Sequence, residues 1–333
     1  MSSYNSQLKL MLKDTPLPVL TGRNKADSFD SYSVAFPSIF RENKEIFLYY
    51  TGSPNKRWSF ASIGVACSKD ALNFTREGDS ILIDQSLSDF ACEAVTPAVA
   101  RVGSNYYMVL SGRKYRHNRR VLGIAYSDDP KGPYRLIKKL HEPKEPWEGF
   151  SIDNGSTLIK EEKDVLILYY SNCAPSLTDF ITRKPSRRNM GLLKIKIKGT
   201  DPRSIELLYP ETNPVSTLCG NLGEWNESIF CPGYLSYENN GILFFAASRY
   251  SKKPTPQSIG YAIVDSPYIN RVIGKPERLV DQTNFELEGG PTFSFDSPSP
   301  LMIEDEKILL FYSVMDRQIH SWKIVRNTIE LQA

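Results

Sequence analysis

The sequence has no apolar run near the roughly 18 residues a membrane span needs, and its start, MSSYNSQLKLMLKD, lacks the long apolar segment of a secretory signal. A cytoplasmic protein without a membrane partner is the expectation. The five cysteines, Cys67, Cys92, Cys173, Cys219 and Cys231, are odd in number and show no CxxC spacing, so neither a disulfide framework nor a zinc knuckle follows. Histidine is scarcer still, and His141 and His320 have no companions that would complete a metal site; no metal or cofactor is expected. GxxxxGK[ST], GxGxxG after a strand, HExxH and GxSxG are all missing, which removes ATP-dependent, dinucleotide, zincin and α/β-hydrolase chemistries. A net charge of +3 is too small to imply a nucleic-acid partner. Sustained 3.6-residue periodicity is also lacking, so the helix content should be low, with one short helix near the N-terminus.

What the chain does have is 41% hydrophobic residues with 24% charged residues, the composition of a globular protein, and a repeat. IFLYYTG (from Ile46), YYMVLSG (Tyr106), LILYYSN (Leu166), ILFFAAS (Ile242) and ILLFYSV (Ile308) are aromatic and β-branched runs that read as buried strands. Each follows another apolar run and a polar turn, as in VAFPSIFRENKE and AVTPAVARVGSN, and each precedes a third run, such as IGVACS or LGIAYS. Successive copies lie 60 to 76 residues apart, the length of a four-stranded blade with its loops. The 333 residues therefore predict an all-β fold, a single five-bladed β-propeller domain over 1–333, with blades opening near 30, 93, 153, 227 and 296. A β-sandwich leaves the fivefold recurrence unexplained.

In a propeller the first strand of each blade lines the central channel, so residues just before the first strands converge on the axis. Those positions hold Asp30 (FDSYSV), Glu93 (FACEAV), Asp153 (FSIDNGS), Glu227 (WNESIF) and Asp296 (FSFDSPS), with aromatics such as Trp225 beside them. Acids at strand starts often only accept backbone N–H bonds. Paired carboxylates around a channel are also what glycosidic cleavage requires, one neutral to protonate the leaving oxygen and one ionised to activate water or attack carbon. The loops between second and third strands add cations on the same face: Arg57, Arg113, Arg116, His117, Arg188 and Arg249 among others. A basic rim of this kind favours an anionic saccharide or a sugar phosphate.

The aromatic–Asp pair, the Pro-Ser step and the YYTG-type strand resemble the five-bladed propellers of glycoside hydrolase families 43, 32, 68 and 130, across nearly the whole chain. The resemblance implies cleavage of O-glycosidic bonds. It makes Asp30 the base or nucleophile and Asp153 in SIDNGS the acid tuner, with Asn154 standing where the family has proline. The general acid falls among Glu227, Glu93 and Glu288 of LEGGPTF, with Glu227 as the first choice. Phe36 occupies the place where many family 43 members carry their first Asp. A phosphorylase or glycosyltransferase working through the basic rim, and a non-hydrolytic propeller that binds an anionic sugar or serves other biosynthetic chemistry, are the alternatives.

Overall fold

Each apolar run of the repeat becomes a strand because its neighbours bury both faces, and the polar turns between runs let the chain reverse within a few residues. The computed structural model describes residues 8–83, 85–174, 176–178, 187–210, 213–251, 257–284, 294–304, 306–316 and 319–332. The chain starts with two short strands, β1 (Lys9–Leu12) and β2 (Leu17–Leu20). Blade 1 is β3 (Ser33–Glu42), β4 (Glu45–Ser53), β5 (Ser62–Ser68) and β6 (Thr75–Arg76). A parallel strand, β7 (Leu82–Ile83), then joins the outer edge of blade 2, which comprises β8 (Glu93–Val102), β9 (Asn105–Arg113), β10 (Val121–Ser127) and β11 (Tyr134–His141). Blade 3 is β12 (Ser151–Lys160), β13 (Val165–Ala174), β14 (Met190–Ile197) and β15 (Ile205–Leu208), and blade 4 is β16 (Ser228–Tyr237), β17 (Asn240–Ser248), β18 (Gln257–Val264) and β19 (Val272–Val280). Blade 5 contains β20 (Ser294–Glu304), β21 (Lys307–Asp316) and β22 (Ser321–Gln332). The all-β, five-bladed expectation is met.

Where a short helix near the N-terminus was expected, the described residues Lys9–Leu12 and Leu17–Leu20 instead form strands that close the ring. Both β1 and β2 pair antiparallel with β22, through Leu10 opposite Leu331 and Leu17 opposite Arg326, so the two ends of the chain share one sheet. An unpaired β22 would present a row of open N–H and C=O groups, and satisfying that edge extends residues that pattern reading left ambiguous. Asp14, at the turn between the two strands, accepts Thr328 N at 2.7 Å and Thr328 Oγ1 at 2.7 Å.

The hydrophobic core lies between blades rather than in one centre. Tyr49, Phe47 and Val65 of blade 1 meet Val99, Met108 and Leu110 of blade 2, and Phe244 and Tyr261 of blade 4 meet Leu310 and Tyr312 of blade 5. A second recurrent device covers the mouth end of blades 1 to 4. Phe29, Phe90, Trp147 and Trp225 lie across Gly64, Gly123, Gly191 and Gly260 of the third strands. A Cβ at these glycines would come within 2.5, 2.3, 2.5 and 2.2 Å of the rings, which is why IGVACS, LGIAYS, MGLLKIKI and IGYAIV all carry glycine at their second position.

In four blades the first strand breaks register at a residue in the left-handed region followed by proline: Phe36 (φ 54°), Thr96 (φ 52°), Cys231 (φ 47°) and Ser297 (φ 48°). Aromatic and β-branched residues resist this conformation, so something must hold it. The bulge turns its N–H towards a neighbouring blade, where a second-strand hydroxyl accepts it: Phe36 N to Ser313 Oγ at 2.6 Å and Thr96 N to Thr51 Oγ1 at 3.0 Å. Below the bulges the first strands nearly touch, and Ser156 Oγ of blade 3 donates to the Pro298 carbonyl of blade 5 at 2.5 Å. The channel is therefore a cup with a floor.

Gly123→Ala tests the capping device. The methyl would sit 2.3 Å from the Phe90 ring, so the midpoint of chemical denaturation should fall, by about 1–3 kcal/mol of stability for overpacking of this kind. A wild-type midpoint would remove the ring–glycine contact from the fold's requirements.

Candidate active site

Strand register determines which residues face the axis. Ala35, Val95, Asp153, Phe230 and Asp296 stand opposite Thr51, Ser111, Ser171, Ala246 and Ser313 of their own blades, immediately ahead of the register break in four of them and one residue further ahead in blade 3. Two of these five equivalent positions are acids. Asp153 and Asp296 belong to blades 3 and 5, and the negative charge of Asp153 acts on the ionisation of Asp296.

Their surroundings drive them apart. Asp153 accepts Arg120 Nη1 at 3.0 Å and Ser111 Oγ at 3.1 Å. Burial alone would raise its pKa, but the charges of Arg120 and Arg188 outweigh burial and hold the carboxylate below its ordinary range. Asp296 is shifted the opposite way. Burial dominates there, aided by the negative charge of Asp153, and it overrides the lowering effects of the Cys231 thiol and Arg188, so its pKa lies above the ordinary carboxylate value. Asp296 nevertheless keeps partial contact with solvent, while Asp153 is 5% exposed.

Cations tie this pair to Glu93. Arg120 bridges Asp153 and Glu93, and Arg113 Nη2 reaches Glu93 Oε2 at 2.9 Å. Glu93 is wholly buried and ion-paired on both oxygens. Arg188 lies with its guanidinium 4.5 Å from the Phe230 ring centroid, within the fields of both Asp153 and Asp296, and makes no ion pair with any described residue. The opposite wall of the cup is aromatic. Phe36, partly exposed at its bulge, lies 5.6 Å from Trp58 and 6.1 Å from Trp322, ring centroid to centroid.

The remaining residues predicted from the sequence fall elsewhere. Asp30 is fully buried in a blade 1 network: it accepts Ser28 Oγ at 2.6 Å, Tyr50 OH at 2.9 Å, Arg76 Nε at 2.9 Å and Arg23 Nε at 3.0 Å. Arg76 belongs to β6, the outermost strand of its blade, so this acid braces the blade rather than facing the axis. Its counterpart is not Asp153 but Glu148, which follows the capping Trp147 and accepts Tyr170 OH at 2.6 Å, with His141 Nε2 also at 2.6 Å. Those bonds, with the Lys144 and Glu145 amides, hold Glu148 at about 2 against the effect of burial.

Glu227 is likewise local. It accepts Ser251 N at 3.0 Å, Ser251 Oγ at 2.6 Å and the Gly223 amide, and despite burial these bonds lower its pKa, the reverse of what a proton donor needs. Trp225 caps its blade, stacked 5.9 Å from Phe245. Arg57, Arg116 and His117 are exposed on the rim, His117 stacking on Tyr115 at 6.0 Å. Arg249 is half-buried near Gly223. Glu288 lies outside the described residues.

Among the described residues, Glu45, Cys67 and Glu77 are the one group with ligand atoms clustered within 4.8 Å, and Lys131 Nζ already lies 2.9 Å from Glu77 and 3.4 Å from Glu45. Their cation is an ammonium. Phe36, Trp58, Trp322, Cys173 and Cys231 complete the cup and were not picked out as site residues in the sequence, whereas Arg120 is one of the mouth cations that the sequence placed there. The usable signal was the proline after each bulge, Pro37, Pro97, Pro232 and Pro298, which marks the axial residues in every blade but the third.

Neither a protein-family model nor a curated protein sequence matches the chain. Solved structures do share its fold. A glycosyl hydrolase from Bacteroides ovatus superposes with a TM-score of 0.63 at 13% identity, covering 96% of this chain and 93% of that one. The endo-arabinase from Bacteroides thetaiotaomicron gives 0.57 at 15% identity over 95% and 97% of the two chains. Zg3597, a family 117 glycoside hydrolase produced by the marine bacterium Zobellia galactanivorans, gives 0.58 at 16% identity over 97% and 90%. The architecture is that of the propeller glycoside hydrolases.

Asp30→Asn should act on stability. Asp30 lies below its ordinary pKa despite burial, because Ser28, Tyr50 and the two arginines favour the anion. Its contribution is therefore present above the unfolded-state value and lost as pH falls through the folded one. The variant should lose about 3–5 kcal/mol near neutral pH, where two cations are left facing an amide, and the gap from wild type should narrow in acid. An unchanged unfolding midpoint at pH 7 would show that the network is not a brace.

Proposed function

We propose that the protein is a carbohydrate-active enzyme that cleaves a glycosidic bond in the axial cup, with Asp296 as proton donor and Asp153 as its ionised partner. The observation that carries this reading is the opposed shift of two acids at equivalent axial positions, one raised and one lowered. Divergent environments of this kind separate acid from base. Asp296 protonates the leaving oxygen, while Asp153 activates water or attacks the anomeric carbon. Arg120 and Arg188 keep Asp153 ionised, and Cys231 orients Asp296. Phe36, Trp58 and Trp322 offer a face on which a sugar ring can stack. The shared architecture with glycoside hydrolases supports the substrate class.

In this reading the resemblance that placed the base on blade 1 gives way to a pair on blades 3 and 5. Ala35 occupies the equivalent blade 1 position, with Phe36 at the bulge behind it, so no acid is available there. Arg188 favours a saccharide bearing a carboxylate or phosphate, since its guanidinium reaches the cup without an ion-pair partner among the described residues. The same cation supports a second reading, in which inorganic phosphate replaces water as the attacking group. Phosphate dependence of turnover, with a sugar 1-phosphate as product, distinguishes the two.

Asp153→Asn and Asp296→Asn should each lower kcat/KM on a natural saccharide by about two orders of magnitude or more, Asp296→Asn with little change in the melting curve and Asp153→Asn with a lowered but still cooperative transition, because Arg120 then faces an amide. With an aryl glycoside whose leaving group needs no proton, Asp296→Asn should recover most of its loss and Asp153→Asn none. The wild-type pH profile should be bell-shaped, its acidic limb set by Asp153 and its basic limb by Asp296. Equal loss for both variants on both substrates would overturn the assignment.

A further inference from the structure

Among the described residues, the most exposed large apolar side chains share one face. Leu222 is 77% exposed, Phe60 69%, Ile319 60% and Tyr115 54%. Phe60 lies between β4 and β5, Tyr115 between β9 and β10, Leu222 just ahead of β16 and Ile319 between β21 and β22, so all four stand on the loops that surround the axial cup. They come from four different parts of the ring. Between them lie exposed Lys56, Arg57, Lys114, Arg116 and Arg119.

These tips are held outward by fixed turns. In the Phe60 loop Asn55 donates Nδ2 to the Ser59 carbonyl at 2.8 Å and accepts Arg57 N at 3.0 Å, and Trp58 and Phe60 both take left-handed backbone (φ 59° and 63°). Phe60 N then donates to the Cys92 carbonyl at 2.7 Å, buttressing the loop on blade 2. That alternation sends Trp58 into the cup and Phe60 to solvent. Around Leu222, Asn221 N donates to Glu224 Oε2 at 2.8 Å and Gly223 N to Glu227. The Ile319 carbonyl accepts Tyr32 OH at 2.5 Å, and the Tyr115 carbonyl accepts Asn118 N at 3.0 Å. Polar groups in each loop stabilise a conformation that leaves an apolar group in water.

We propose that this face docks on an anionic lipid membrane, with the four tips inserted among the acyl chains near the headgroups and the cations on the phosphates. Two features select a bilayer over a soluble polysaccharide. Leu222 and Ile319 have no ring to stack on sugar and no polar atom to offer it, whereas both partition into hydrocarbon. The tips also ring the cup on several sides, which suits a broad surface rather than a single chain lying in a groove. Apolar side chains flanked by Lys and Arg are the pattern of peripheral membrane contact, which needs no spanning segment. If the cup has the activity proposed above, docking turns it towards saccharide carried on a lipid.

The test is co-sedimentation of the full chain with vesicles of phosphatidylcholine alone and of phosphatidylcholine mixed with phosphatidylglycerol. Wild-type protein should bind the mixed vesicles, and the binding should fall as salt is raised. Phe60→Ser, Leu222→Ser and Ile319→Ser combined should weaken it by about tenfold or more, and Lys56→Glu with Lys114→Glu should weaken it at unchanged melting temperature. Turnover of a small soluble glycoside, if present, should be unaffected in both variants, which separates failure of docking from failure of the catalytic reading. Absence of binding to mixed vesicles, or binding that survives loss of the three tips, would overturn the proposal. So would concentration-dependent dimerisation that the triple variant abolishes, because the face would then be covered by a second copy.

Discussion

The approach of five first strands to one axis is the constraint on which the rest of this structure depends. Strands that converge so closely cannot all keep regular pairing and full side chains. The chain meets the crowding with left-handed bulges at Phe36, Thr96, Cys231 and Ser297, and with Gly155 and Gly233, where a Cβ would lie 2.3 and 2.1 Å from carbonyl oxygens of neighbouring blades. Each bulge is an unfavourable local conformation, and those of blades 1 and 2 are held by hydroxyls from the adjoining blades. Blade identity and ring closure are thus coupled: no blade can form its axial edge without a neighbour.

The same crowding creates the site. A side chain just ahead of a bulge points into a volume closed below by contacts such as Ser156 to Pro298 and walled by the other blades. Carboxylates there lose water, and their ionisation is decided by the few charges that share the cup. Asp153 has Arg120 against it and stays ionised; Asp296 has a thiol and a neighbouring acid and shifts upward. Further out, where blades are wider and room is available, acids serve the scaffold instead. Asp30 and Glu148 each bind a second-strand tyrosine and a basic side chain beneath a capping ring.

Capping and catalysis therefore use similar residues a few positions apart, and this is where pattern reading and structure diverge. FDSYSV and FSIDNGS look alike as an aromatic followed by an acid, yet Asp30 lies five residues ahead of the axial position of its blade, Ala35, while Asp153 occupies that position in blade 3. In a strand an offset of a few residues changes both depth and facing. An alignment anchored on aromatic–acid pairs mixes two structural classes, and one anchored on the prolines after the bulges finds the axial positions of every blade but the third, where the pairing of Asp153 with Ser171 is needed.

The blade number, the strand order within a blade and the face that carries the loops were all legible in the chain, because alternation of apolar runs and polar turns is a local property repeated often enough to be unmistakable. The basic character of that face was legible for the same reason. The partners of each acid were not, because Arg120 with Asp153, Arg188 with Asp296 and Arg76 with Asp30 are separated by 33, 108 and 46 positions, and strand register alone determines which meet. The N-terminal strands were hidden too, since KLML and LPVL become β only by completing an edge supplied by the other end of the chain. Local chemistry specifies the repeat; the ring specifies which of its copies is left with an acid in a nearly dry cup.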